Sequence, residues 1–137
     1  MSAIKPNTKQ FKELARSPEK GAVVMLNLLK FKHAAEGEAG SGLEAYRRYG
    51  DAAVAMIEER GGRIVWQGRA DQVLIGDPAE DWDTVALVEY PSRPSFIEMV
   101  SNPDYMKAHE FREAGLERTI VIACTPDVDR TKEEAQS

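Results

Sequence analysis

The chain is best read outward from Val23-Val24-Met25-Leu26-Asn27-Leu28-Leu29-Lys30-Phe31-Lys32, its longest apolar run, interrupted in the middle by Asn27. The run begins with β-branched residues, follows Gly21 and precedes a Gly-rich segment. That pattern reads as a central strand, over about residues 22–32, with both faces buried. Alternate side chains of a strand point to opposite faces. Val24, Leu26 and Leu28 therefore share one face, and Met25, Asn27, Leu29 and Phe31 share the other. In a single domain, helices cover one such face. The second face needs a cover of its own.

At 137 residues the chain is expected to form one domain with a sizeable core. A hydrophobic fraction of 42% and a charged fraction of 30% are those of an ordinary globular protein. The net charge of −5 argues against a general nucleic-acid binder, which needs a concentrated basic face. Residues 1–32 hold seven basic and two acidic side chains, while residues 33–137 hold eleven and twenty-one. A basic N-terminal arm on an acidic body fits that imbalance, and so do scattered, solvated charges. Cys124 is the single cysteine, so no internal disulfide forms. No stretch reaches about 18 continuous apolar residues, and Met1-Ser2-Ala3-Ile4-Lys5-Pro6 lacks the apolar core of a signal peptide. A cytoplasmic location and no membrane partner are expected.

Upstream of the central strand, Asn7-Thr8 with Gln10, Phe11, Leu14 and Ala15 predicts a short capped helix ending near Arg16. Downstream, residues 33–42 are small and Gly-rich, as a lid would be. Ser41-x-x-Glu44 is a capping box, and Leu43, Tyr46, Tyr49, Ala53, Met56 and Ile57 form a buried stripe at helical spacing. Gly61-Gly62 ends that helix. A second strand is expected over about 63–75, with Gly68 marking a bulge or a close approach. A third is expected over 82–90. A second helix starts after Pro91, buries Phe96, Met99 and Val100, and restarts at Asn102-Pro103, with Asn as cap and Pro at the first helical position. Thr119 to Cys124 reads as the fourth strand, with Cys124 a buried small hydrophobe.

The order β-α-β-β-α-β is the split βαβ, ferredoxin-like pattern of an α+β domain. It predicts a four-stranded antiparallel sheet with both helices on one face. The expected organisation is a helical arm over 1–21, the α+β domain over 22–125 and a polar tail over 126–137. The bare second face of the sheet calls for a partner. The simplest is a second copy related by a two-fold axis, so a homodimer is expected.

Several elements, taken in order, resemble the domain-of-unknown-function 1330 family. They are Val24 through Phe31, Tyr46-x-x-Tyr49, Gly61-Gly62-Arg63, Trp82-Asp83 with Val85, Leu87 and Val88, Tyr90-Pro91-Ser92-Arg93 with Phe96, Pro103-x-Tyr105, and Arg112-x-Ala114-Gly115-Leu116. The resemblance spans about residues 22–125. It implies a dimeric α/β barrel and no particular function. The wider superfamily includes cofactor-free monooxygenases, lactone isomerases, haem- and chlorite-degrading enzymes and stress proteins, a likeness of fold only.

Three sets of residues are candidates for chemistry. Asn27 places an amide in an apolar strand, where leaving it unsatisfied costs about 1–3 kcal/mol. It either contacts a ligand or bonds backbone or water. Tyr105, Ala108, His109 and Arg112 fall at i, i+3, i+4 and i+7 of one helix and share a face, with Lys107, Glu110 and Glu113 pointing away. There Arg112 can hold a carboxylate or enolate, or pair with Glu89. His109 can move a proton near neutral pH. Tyr46, Tyr49, Trp66 and Tyr90 can line an aromatic pocket, though core or interface roles are commoner for such residues. Asp83 is read as capping a turn or pairing with Arg93.

Two histidines and one cysteine make no metal-ligand set, and neither a nucleophile elbow nor a phosphate-binding loop is present. No cofactor is expected. The favoured reading is a cofactor-free enzyme on a small carbonyl- or phenol-bearing molecule, of isomerase, lactone-processing or monooxygenase type. Catalytic roles fall to His109 and Arg112, and substrate contacts to Asn27, Tyr46, Trp66 and Tyr105. The alternative is a non-catalytic ligand-binding or stress-response dimer. Haem binding through His109 is a third reading.

Overall fold

A computed structural model describes residues 5–35 and 40–131 of the chain. Residues 36–39 of the Gly-rich segment expected to act as a lid, and the tail beyond residue 131, lie outside the described residues. The elements run α1 (Thr8–Ala15), β1 (Val23–Phe31), α2 (Gly42–Glu59), β2 (Arg63–Arg69), β3 (Thr84–Tyr90), α3 (Arg93–Val100), α4 (Pro103–Gly115) and β4 (Leu116–Cys124). The four strands form one antiparallel sheet in the order β2-β3-β1-β4. This is the ferredoxin-like α+β arrangement expected from the pattern.

Local signals place the helices. Asn7 and Ser41 each accept a backbone N–H at the start of α1 and α2, and Gln10 and Glu44 bond back to complete both capping boxes. Asn102 Oδ1 accepts from the Asp104 N–H at 2.8 Å and Pro103 opens α4, so the second helical stretch restarts where expected.

Register defines the two faces of the sheet. Val23, Met25 and Leu29 are buried beneath the helices. Ala53 and Ile57 of α2, Met99 of α3 and Tyr105 of α4 complete the core with Tyr90, and Leu14, Tyr49, Val88, Phe96 and Val100 pack against it. On the other face, Leu26 lies opposite Leu87 and Ile122, and Leu28 opposite Val85 and Ile120. No described helix covers that face. Val24, Leu26 and Leu28 are therefore only half-buried, and Ile120 and Ile122 are exposed.

Two glycines let α2 and α4 meet. A Cβ on Gly42 would stand 2.1 Å from the Lys32 carbonyl oxygen, and one on Gly115 would stand 2.5 Å from the Gly42 carbonyl oxygen. The close approach lets the Lys32 N–H donate to the Gly115 carbonyl at 2.8 Å and the Gly42 N–H to the Lys32 carbonyl at 3.1 Å. This seam fixes the C-terminal half of α4 over β1.

Some expectations are corrected. β2 ends at Arg69, not near residue 75, because its partner β3 begins at Thr84 and the ladder stops at the Arg69–Thr84 pair. Residues 71–80 are all exposed. The bulge lies between Ile64 and Trp66, whereas Gly68 is where the Trp66 ring approaches the backbone. β3 starts two residues later than expected, at Thr84, and β4 starts directly after α4, at Leu116. Leu43 is exposed, and the buried stripe of α2 uses Ala45 instead. Cys124 is half-exposed rather than buried, since Val24 pairs it on the open face.

Candidate functional site

The helix-covered face of the sheet carries a layer of tyrosine, histidine and arginine side chains that continues from the core. α2 supplies Tyr46 and Tyr49 one turn apart, and α4 supplies Tyr105, His109 and Arg112 on one face. Phe31 of β1 closes the row, its ring centroid 5.4 Å from that of Tyr46. Tyr46 and Tyr49 are 5.4 Å apart, and Tyr105 meets Tyr49 edge-on at 5.9 Å. The Tyr49 and Tyr105 hydroxyls share a hydrogen bond of 2.8 Å. Arg112 is 5% exposed, with its guanidinium 5.9 Å from the Tyr49 ring centroid.

The electrostatics follow from this burial. Desolvation pushes the Tyr46 phenol up to about 12 despite the opposing pull of the Arg112 guanidinium. Burial likewise raises Tyr49, Tyr90 and Tyr105. All four tyrosines of the chain are therefore neutral hydrogen-bonding groups near neutral pH. His109 is held below its ordinary value, first by burial and then by the Arg112 charge, with Glu113 opposing. Its imidazole is neutral at pH 7 and can accept a proton. Its ring centroid lies 5.7 Å from that of Tyr105. Neither of its buried nitrogens makes a hydrogen bond among the described residues, although Glu113 Oε1 is 3.2 Å from Nε2.

Glu113 also receives Lys5 Nζ at 3.0 Å, which ties the N-terminal segment to this end of α4. Glu113 therefore faces His109 rather than pointing away, and the i, i+4 spacing between them is the sequence signal for that contact. Asn27 lies on the same face of the sheet, between Met25 and Leu29. Its Nδ2 donates to the Met25 carbonyl at 3.1 Å and to the Ala86 carbonyl at 3.5 Å. Tyr90 packs edge-on against Phe96 at 5.0 Å, deeper in the core.

Trp66 does not join this group. It pairs with Leu87 on the open face, is 53% exposed and stacks over Gly68. Asp83 does not pair with Arg93, because the two flank opposite ends of β3. It accepts from the Phe31 N–H at 2.9 Å and receives Lys30 Nζ at 3.4 Å. Glu89 accepts from Arg63 Nε at 3.2 Å. Arg93 is buried and donates to Thr125 Oγ1 at 3.2 Å. A surface recess of about 740 Å³ runs along α1, beside Lys9, Lys12, Glu13 and Arg16, and shares no residue with the tyrosine layer. Among the described residues no group of three or more His, Cys, Asp or Glu side chains is placed to hold a metal ion. No described helix is long and apolar enough to cross a membrane.

The fold is that of the ferredoxin-like α+β proteins. A dabb family protein from Mesorhizobium loti superposes with a TM-score of 0.54 at 17% identity, covering 80% of this chain and 100% of that one. SnoaB from Streptomyces nogalater, described as a cofactor-independent oxygenase, superposes with a TM-score of 0.53 at 14% identity, covering 80% and 97%. The chain itself belongs to the family described as Domain of unknown function (DUF1330), whose profile matches residues 41–125. A protein of unknown function from Rhodopseudomonas palustris is 34% identical, with a TM-score of 0.88 over 94% of this chain and all of that one. No curated protein matches the chain.

Proposed function

We propose that the protein is a homodimer whose tyrosine-lined layer binds a small carbonyl- or phenol-bearing molecule and acts on it without a cofactor. The observation that carries this reading is His109, whose two buried nitrogens make no hydrogen bond among the described residues, beside a buried Arg112 and three tyrosine side chains, two of which also pack in or against the core. His109 serves as proton acceptor, Arg112 holds the developing enolate or phenolate, and Tyr46 and Tyr105 donate hydrogen bonds to oxygen. Such a set suits isomerisation, lactone chemistry or substrate-assisted oxygenation. The oxygenase SnoaB shares the fold alone, so oxygenation stands beside the other two without priority. The apolar open face, with Leu26, Leu87 and Ile122 in one row, supports the dimer. A free, half-exposed Cys124 suits a reducing, cytoplasmic setting.

A second reading is a binding protein without turnover. It is favoured by the Asn27 amide, which donates to sheet carbonyls, and by the Tyr49 and Tyr105 hydroxyls, which bond each other. Native mass spectrometry against a library of small enols, phenols and lactones tests both. The catalytic reading expects a retained ligand or its converted product, with conversion lost in His109→Ala and binding lost in Arg112→Ala. Binding without conversion selects the second reading. Binding and conversion that survive both substitutions contradict the proposed roles.

A further inference from the structure

The loop between β2 and β3 carries an apolar tip that nothing among the described residues covers. Residues 71–80 are exposed without a break, and at their centre Leu74 and Ile75 are 83% and 91% exposed, beside Val73. The loop is nevertheless held at its base. The Ala70 N–H donates to the Asp83 carbonyl at 3.0 Å, which closes the hairpin below the tip. Asp81 receives Lys30 Nζ at 2.9 Å and Arg118 Nη2 at 2.8 Å, and the Arg118 guanidinium lies 4.2 Å over the Trp82 ring. Lys30 and Arg118 are cross-strand partners on β1 and β4. They continue the open-face rows of Leu28 with Ile120 and Leu26 with Ile122. The returning arm of the loop is thus clamped to the uncovered side of the sheet, with its apolar tip free.

We infer that Val73-Leu74-Ile75 is a docking arm that reaches onto a second copy of this chain across the open face. The inference rests on the dimer reading above and adds an element to it. Stacked sheets lie roughly 10 Å apart. The six residues from Ala70 to Ile75, at about 3.3 Å each when extended, span about 20 Å, which is enough to cross that gap. The receiving surface is on the same face: Trp66, Ile120 and Ile122 are 53%, 42% and 48% exposed. A two-fold axis lets each copy offer an arm and receive one, which makes the contact self-complementary. A pinned base keeps the ordering cost of such an arm low.

The test uses the full-length chain. Sedimentation equilibrium of the Leu74→Ser/Ile75→Ser double variant is compared with wild type, alongside amide hydrogen exchange of residues 73–75 at high and low protein concentration. The inference expects an unchanged circular dichroism spectrum and a dimer dissociation constant raised by roughly tenfold or more. It also expects amides at 73–75 that are protected in the dimer and lose protection on dilution. A dimeric wild type with an equally tight double variant and unprotected 73–75 amides overturns the arm and leaves the dimer standing. The tip would then be free for a different protein. A wild type that is monomeric at every concentration overturns the dimer reading and the arm with it.

Discussion

His109 and Arg112 lie on adjacent turns of α4, and the guanidinium disfavours a charge on the imidazole. The loss of water, and after it the Arg112 guanidinium, hold the imidazole below its usual value near 6.5. A histidine depressed in the folded state is bound to fewer protons there than in the unfolded chain. Its contribution to stability is complete above about pH 6.5 and is lost as pH falls through the lower folded value. Wild type is therefore expected to lose stability on acidification more steeply than His109→Gln, measured as urea midpoints across that window. Parallel pH profiles for the two proteins would contradict the burial of a neutral ring. Tyr49 and Tyr105 make a separate case. Tyr49→Phe leaves the Tyr105 hydroxyl without its 2.8 Å partner, at an expected cost of about 1–3 kcal/mol. The Tyr49→Phe/Tyr105→Phe double variant is expected to cost less than the sum of the two single changes, because no orphaned hydroxyl remains. Strict additivity in denaturant unfolding would count against the pair. The inward stripe Tyr105-His109-Arg112 was legible because polar groups broke an otherwise apolar helical period. The environment of Asn27 was not. Its donation to the Ala86 carbonyl depends on the β1–β3 register, which no spacing along β1 reveals.

At the scale of elements, caps and glycines were readable where their chemistry is local. Asn7, Ser41 and Asn102 each cap the helix that their side chains predict. The end of β2 was not readable. Val73-Leu74-Ile75 has the composition of a strand, and only the absence of a β3 partner before Thr84 makes it a loop. The stripe of α2 misplaced Leu43 for a related reason. The helix crosses α4 at Gly42 and Gly115, so the contact face near its start is set by backbone proximity and Ala45 rather than by the largest apolar side chain. That seam gives a direct prediction. Gly42→Ala places a Cβ against backbone atoms of Lys32 and Gly115 that cannot rotate away. An overpacking cost of about 1–3 kcal/mol is expected. Gly50→Ala, where a Cβ meets nothing within 4 Å, is the control and is expected to be neutral or stabilising. Equal thermal midpoints for the two variants would argue against a tight α2–α4 contact.

For the whole molecule, the run at residues 23–32 carried the fold because it is apolar on both faces. Helices cover Val23, Met25 and Leu29, while Val24, Leu26 and Leu28 pair into an apolar surface with Val85, Leu87, Ile120 and Ile122. An uncovered sheet of that composition favours association. Trp66 illustrates what the linear pattern concealed. Its aromatic character suggested a place beside Tyr46 and Tyr49, but the bulge after Ile64 and its pairing with Leu87 set it on the open face. On the proposed reading, a second copy of the chain closes this face. Sedimentation equilibrium of the purified protein decides between a closed and an open face. A mass twice the 15.2 kDa of one chain is expected, with a shift to the single-chain mass in Leu26→Glu/Ile122→Glu. A wild type that stays at the single-chain mass across the concentration range would contradict it.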